Sequence, residues 1–266
     1  GRHVRPAGGD FHEGDLFAAS RKLAPADIAL LASMNHAVIP VVRKPVVAIM
    51  ATGDELVAPG EAPNPDQIIA SNSYGIAAQL EAAGAETRLL PIARDTRAAL
   101  RDVFAMTKGA DLIVTIGGAS VGDHDLVAEV AADLNMNQSF YKIAMRPGKP
   151  LMAGNMDGTP MIGLPGNPVS SMVCSTLFIV PLITKMLGLP GGAPKPSQAT
   201  LANDLTPNGP REHYMRAQLA SDGTVRVHEA QDSALMSVLA ASNALVVRPI
   251  RDPARAKGER VSIITL

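Results

Sequence analysis

Val46-Val47-Ala48-Ile49-Met50-Ala51-Thr52-Gly53-Asp54-Glu55 and Leu112-Ile113-Val114-Thr115-Ile116-Gly117-Gly118-Ala119-Ser120 decide the fold. Each is a continuous apolar run of strand length that gives way to glycine and polar residues. A strand that is apolar on both faces belongs to a sheet covered on both faces. Helices are expected at 73–83, 96–106 and 126–134, with a further strand at 86–92. This alternation predicts a doubly wound, mostly parallel α/β sheet. Ligands of such sheets sit beyond the carboxyl ends of the strands, where this chain places Thr52-Gly53-Asp54-Glu55, Arg94-Asp95 and Gly117-Gly118-Ala119-Ser120.

Upstream, residues 1–14 are polar loop sequence, and a short helix over 25–34 opens on Pro25. A strand is expected at 37–42, before Arg43-Lys44-Pro45. Downstream, a strand at 139–145 leads into Arg146-Pro147-Gly148-Lys149-Pro150, and the runs 151–153 and 160–164 form a hairpin around 155–158. Gly163-Leu164-Pro165-Gly166-Asn167-Pro168 then opens a long apolar helix over 169–187. The Gly- and Pro-rich stretch 188–196 is a linker, and the short alternating segments beyond it, with turns at Asn208-Gly209, Ser221-Asp222-Gly223 and Lys257-Gly258, predict a small all-β domain.

The 266 residues carry 24 Lys plus Arg against 25 Asp plus Glu, a formal net charge of −1. A charged ligand must therefore be gripped by local geometry, and a basic nucleic-acid-binding module is excluded. With 3% aromatic residues and no Trp, stacking platforms for single strands are missing too. The single cysteine, Cys174, leaves neither an intramolecular disulfide nor a thiolate zinc site, which fits the cytoplasm. Residues 158–184 carry no charge, but Pro165, Gly166, Asn167, Pro168 and Pro181 divide them into a strand, a turn and a buried helix, so no membrane span is expected.

Three loops could carry chemistry. The paired glycines of Gly117-Gly118-Ala119-Ser120-Val121-Gly122-Asp123-His124-Asp125 let backbone N–H groups converge on an anion at a helix N-terminus, although an ordinary strand-to-helix turn has the same pattern. Asn167 and Ser170 could bind an anion, but capping of the following helix by Asn167 is the better local reading. If 142–146 is extended, Lys142 and Arg146 share one face, with Lys149 close by, and like charges side by side call for an anion. The carboxylates Asp54, Glu55, Asp95, Asp123 and Asp125 all fall at strand ends, where Mg²⁺ is held by oxygen ligands and a substrate phosphate; singly, each could be a surface residue or a cap.

Taken together, TGDEL at 52–56, SN at 71–72, RD at 94–95, GGASVGDHD at 117–125, KIAMRPGKP at 142–150 and GLPGNPVSS at 163–171 resemble the molybdopterin molybdenumtransferases, the MoeA-type molybdenum-insertion enzymes related to the E domain of gephyrin. The resemblance implies a Mg²⁺-dependent reaction of adenylylated molybdopterin with molybdate that releases AMP. It implies catalytic roles for Asp10, Glu55, Asp95, Asp125, Lys142 and Arg146, with Glu55, Asp95 and Asp125 as metal ligands. It further implies substrate contacts from Asn72, Gly117, Gly118, Ser120, Gly122, Lys149, Pro165, Gly166, Asn167, Ser170, Arg216 and Ser233.

A homodimer is implied, in which Asp10 reaches the other subunit's cleft, and contact with molybdopterin adenylyltransferase is a further possibility. The resemblance divides the chain into 1–14, the end of an N-terminal domain whose beginning is missing; 15–45, a remnant of the linking and dimerisation domain; 46–190, the molybdopterin-binding α/β domain; and 197–266, a barrel-like β domain. Two alternatives remain at this point. One is molybdopterin adenylyltransferase, whose domain is similar to 46–190, and the other is a gephyrin-like scaffold that binds a peptide.

Overall fold

The computed structural model describes residues 1–4, 6–118 and 126–266. After helix α1 (Pro25–Ser33), an α/β unit begins with β1 (Val46–Ala51), the short parallel pair β2 (Leu56–Val57) and β3 (Ile68–Ile69), α2 (Asn72–Ala82), β4 (Glu86–Leu89), α3 (Arg97–Ala105) and β5 (Leu112–Ile116). It continues through α4 (Leu126–Asp133), β6 (Met136–Tyr141), β7 (Met145–Arg146), β8 (Met152–Met156) and β9 (Thr159–Leu164). The main sheet has the order β4-β1-β5-β9-β8-β6, with parallel pairing from β4 to β9 and an antiparallel edge made by β8 and β6.

Alternation along the strands sorts the core into two layers. Val47 and Ile49 of β1 and Leu112, Val114 and Ile116 of β5 pack with Ile76, Ala77 and Leu80 of α2. On the opposite face, Met50 and Ile113 meet Leu100, Val103 and Phe104 of α3 and Val127, Val130 and Ala131 of α4. Both faces are therefore buried, as the continuous apolar runs require.

The apolar helix runs from Pro168 to Met186, as α5 (Pro168–Cys174), a π segment (Ser175–Ile179) and α6 (Val180–Met186). Pro181 supplies no N–H, and the helix widens into the π turn just before it. By length and composition this helix could cross a membrane. It is a core element of the fold instead, with Val169, Val173, Cys174, Leu177, Ile179 and Ile183 buried in the first layer.

The terminal unit comprises β10 (Ser197–Leu201), β11 (Glu212–Leu219), β12 (Thr224–Val227), α7 (Met236–Ala240), β13 (Ala244–Arg248) and β14 (Arg260–Thr265), in the sheet order β12-β10-β14-β13-β11-β7, closed by a β12–β11 pairing. Ala244, Val246, Val261 and Ile263 face its own core. Leu245 and Ile264 point the other way, into the layer around α5 and α6, so the two units share an apolar interface.

Two expected strands are corrected. Residues 37–42 form no strand: no neighbouring strand offers them a ladder among the described residues, and Val38, Val41 and Val42 are exposed. The strand expected at 139–145 ends at Tyr141, because Lys142 adopts a left-handed φ of 71° and turns the chain out of the main sheet. Three residues on, β7 joins the other sheet, with Arg146 in register with His213. Lys142 and Arg146 therefore do not share the face of one strand.

Candidate active site

A cleft of about 1120 Å³ opens at the carboxyl ends of β1, β5 and β9. The strand-end residues Thr52, Gly117 and Gly118 form its floor, and Glu55, Asp95, Asn72, Lys149 and the turn Pro165-Gly166-Asn167 also line it, together with Ala234 of the terminal unit. Glycine is required at two of these places. A Cβ on Gly117, whose φ is 89°, would lie 2.7 Å from the Thr52 carbonyl oxygen, and one on Gly53 would lie 2.5 Å from a carboxylate oxygen of Glu55. The Glu55 carboxylate thus folds back over its own loop, in space that a side chain on Gly53 would fill.

The turn at Pro165-Gly166-Asn167 is fastened from two directions. Asn72 donates from Nδ2 to the Gly166 carbonyl at 2.7 Å, so its amide holds the Pro165-Gly166-Asn167 turn. The Val169 amide donates to the Ser233 carbonyl at 3.0 Å, which ties the start of α5 to the terminal unit. Asn167 stands at the N-cap position but makes no side-chain cap hydrogen bond, which corrects the capping expectation. Its main-chain carbonyl serves the helix instead, accepting from the Ser171 amide at 3.0 Å, and the side chain is left at the cleft wall.

Several expected residues lie elsewhere. Ser170 is buried and does not line the cleft. Lys142 is exposed, with Nζ 4.6 Å from the centroid of the Tyr141 ring, and Arg146 is exposed on β7. Arg216 is 1% exposed; it donates from Nε to Gln231 Oε1 (3.3 Å) and from Nη1 to the Asp232 carbonyl (2.6 Å), so it braces the 231–234 loop from beneath. Asp10 is exposed in the N-terminal loop, and Ser120, Gly122, Asp123 and Asp125 lie outside the described residues.

Thr52 was expected at a strand end but with no role of its own. It is buried, and its Oγ1 has no hydrogen-bond partner among the described residues. An unpaired hydroxyl under paired glycines is a signal only the tertiary structure gives. Glu129, also at the cleft, is neutralised by Arg97 at 2.5 Å.

Among the described residues no three His, Cys, Asp or Glu side chains converge as a ready-made metal cage. Two carboxylates lining the same cleft as a lysine still suit Mg²⁺, which is commonly held by one or two carboxylates together with substrate phosphate. The Glu55 carboxylate, lodged over Gly53, is therefore a fitting oxygen donor.

On β11, His213 is buried among Arg146, Arg211, Arg216 and Arg248, and burial first, then those charges, pushes its pKa down to about 4. An unfolded His takes up its proton near pH 6.5, so between pH 6.5 and 4 the unfolded chain binds the extra proton and stability falls as the pH drops. The loss expected by pH 4 is about 2 kcal/mol once solvent screening is allowed for. His213→Gln should flatten this acid limb, and urea titrations of both proteins at pH 7 and pH 4.5 check it; parallel losses would contradict it.

Known proteins share this architecture. Residues 48–185 match the family model described as a probable molybdopterin binding domain, and residues 198–266 match the MoeA C-terminal region (domain IV). A molybdopterin molybdenumtransferase of Nostoc sp. is 35% identical over 276 residues, covering 100% of this chain and 63% of the relative. Molybdopterin molybdenumtransferase 2 of Mycobacterium tuberculosis is 36% identical over 260 residues, covering 94% of this chain and 64% of its own length. The crystal structure of the molybdopterin biosynthesis moea protein from Pyrococcus horikosii superposes with a TM-score of 0.81 at 28% identity, over 92% of this chain and 60% of that one. This chain thus spans just under two thirds of the length of these relatives.

Proposed function

Because the chain belongs to the molybdopterin molybdenumtransferase family, we propose that it forms the catalytic part of an enzyme that inserts molybdate into adenylylated molybdopterin and releases AMP. The observation that carries this reading is that two carboxylates, paired glycines and a lysine line one cleft. The Gly117-Gly118 backbone is suited to a phosphate, and Lys149, lining the same cleft, neutralises phosphate or molybdate oxygens. Lys142 and Arg146, on the same segment as Lys149, add positive charge. Glu55 and Asp95, with Asp125, are the residues that would hold Mg²⁺. When bound, that ion lowers the negative charge of the phosphoanhydride to be cleaved.

The remaining residues take supporting roles in this reading. Asn72 and Pro165-Gly166-Asn167 shape the pterin side, and Ser120 and Gly122 complete the glycine loop. Arg216 and Ser233 hold the loop that brings Ala234 over the cleft. Residues 46–190 and 197–266 act as two domains, with 1–14 and 15–45 belonging to others, in a cytoplasmic homodimer whose Asp10 reaches the partner's cleft. Hand-over from an adenylyltransferase partner fits the substrate.

AMP release from adenylylated molybdopterin, with molybdate and Mg²⁺ supplied, tests the proposal. It is measured on the chain alone and joined to the N-terminal segment of a family member. Glu55→Gln and Asp125→Ala should each reduce release on the order of 100-fold or more, with the fold retained. Undiminished release by both variants sinks the assignment. An adenylyltransferase would consume ATP in the same assay, and a scaffold would do neither.

A further inference from the structure

The loops that carry Glu55 and Asp95 are cross-tied by hydrogen bonds that use neither carboxylate. Arg94 donates from Nη1 to the carbonyl oxygens of Asp54 (2.9 Å) and Leu56 (3.3 Å), the residues on either side of Glu55. In the opposite sense, the Asp95 amide donates to Asp54 Oδ1 at 3.1 Å. Below this tie, Thr52 and Ala93 form a parallel bridge, and the Gly53 amide donates to the Ala93 carbonyl at 3.1 Å. The Glu55 carbonyl itself accepts from the Ile68 amide at 2.7 Å.

Each peptide next to Glu55 is thus fastened, and Asp95 is anchored through its own N–H. Asp54 and Arg94 are both exposed, and neither is in an ion pair among the described residues. They do not fill a core, and Arg94 directs one guanidinium nitrogen, Nη1, at two main-chain oxygens.

We propose that Asp54 and Arg94 are positioning residues that set the placement of the Glu55 and Asp95 carboxylates toward a divalent cation; this rests on the reading of those two as cation ligands. Mg²⁺ demands near-ideal octahedral geometry, so a ligand on a loosened loop loses affinity. Outer partners that orient metal ligands are typically worth roughly 10- to 100-fold in affinity. Asn at position 54 keeps an acceptor oxygen for the Asp95 amide, whereas Ala removes it. Lys at position 94 keeps the charge and loses the planar fork.

Mn²⁺ binding to the chain, followed by the loss of the free-ion electron paramagnetic resonance signal, tests the proposal with Asp54→Ala, Asp54→Asn, Arg94→Lys and Glu55→Gln. Asp54→Ala and Arg94→Lys should weaken binding roughly tenfold, Asp54→Asn should stay within about twofold of the unsubstituted chain, and Glu55→Gln should lose more than any of them. A second readout needs no metal: exchange of the Asp95 amide hydrogen should accelerate in Asp54→Ala and stay slow in Asp54→Asn.

Binding by Asp54→Ala and Arg94→Lys as tight as the unsubstituted chain, while Glu55→Gln loses it, overturns the positioning role and leaves the cation reading standing. Absence of Mn²⁺ binding in the unsubstituted chain overturns the cation reading, and the proposal with it. If Asp54→Ala does not fold, Arg94→Lys and Asp54→Asn decide the outcome by the same thresholds.

Discussion

Asp252→Ala is expected to destabilise the terminal β unit by about 3–5 kcal/mol, the cost of removing one partner from a buried ion pair. Arg248 is 2% exposed, and its guanidinium bonds Asp252, the Thr206 carbonyl at 3.1 Å and the Pro253 carbonyl at 2.7 Å. Asp252 also accepts from Arg255 at 2.5 Å, and Arg255, followed by Arg248, holds its carboxyl below the usual range. Without that carboxylate, a buried cation keeps only carbonyl partners. The two units need not unfold together, so the change is best read as the free energy of opening of β13 and β14 amides in native-state hydrogen exchange. An effect under about 1 kcal/mol would show that water compensates Arg248. Replacing both partners by apolar residues of similar volume should cost much less, because no unpaired charge remains.

Gly117→Ala carries the second large expectation, a loss of about 2–4 kcal/mol together with loss of ligand binding at the cleft. Two penalties coincide. A side chain at φ 89° is strained, and the new Cβ would press to 2.7 Å on the main-chain oxygen of Thr52, which cannot rotate away as a flexible side chain could. Thr52 is tied in turn to Ile116 by a 3.0 Å main-chain hydrogen bond, so relief would distort the strand ends that form the floor. Thermal unfolding and a titration with AMP measure the two effects; a variant with wild-type stability and affinity would mean that the floor yields freely. Gly118→Ala would be strained as well, since φ is 71° and the new Cβ would lie 2.1 Å from Cγ2 and 2.9 Å from Cβ of the buried Val127, a β-branched side chain with little freedom to rotate.

Much of the α/β unit was legible because its signals are local. The run at 112–116 is recovered residue for residue, and α2, α3 and α4 fall within one residue of expectation. Burial on both faces follows directly from apolar strands without alternation. Thr96, expected as the first residue of its helix, caps α3 instead by accepting from the Ala99 amide at 3.2 Å. The expectations that failed depended on partners distant in sequence. Residues 37–42 have strand composition and no ladder to join. The segment after Tyr141 has strand composition throughout, yet it leaves one sheet at Lys142 and enters another at Met145.

The site divides along the same line. Strand-end glycines and carboxylates in the 52–55, 94–95 and 117–118 loops could be gathered from the sequence because a parallel sheet places its carboxyl ends together. Arg216 could not be placed, since its burial beneath the 231–234 loop depends on how a β unit packs against α5 and α6. Nor could the linker at 188–196 reveal that the two units share an apolar layer through Leu245 and Ile264. Residue type and spacing determined by themselves which segments become strands and helices and which strand ends carry polar groups. Tertiary structure alone decided which side chains line the cleft and which polar atoms remain unpaired, because those outcomes depend on contacts between segments far apart in the chain.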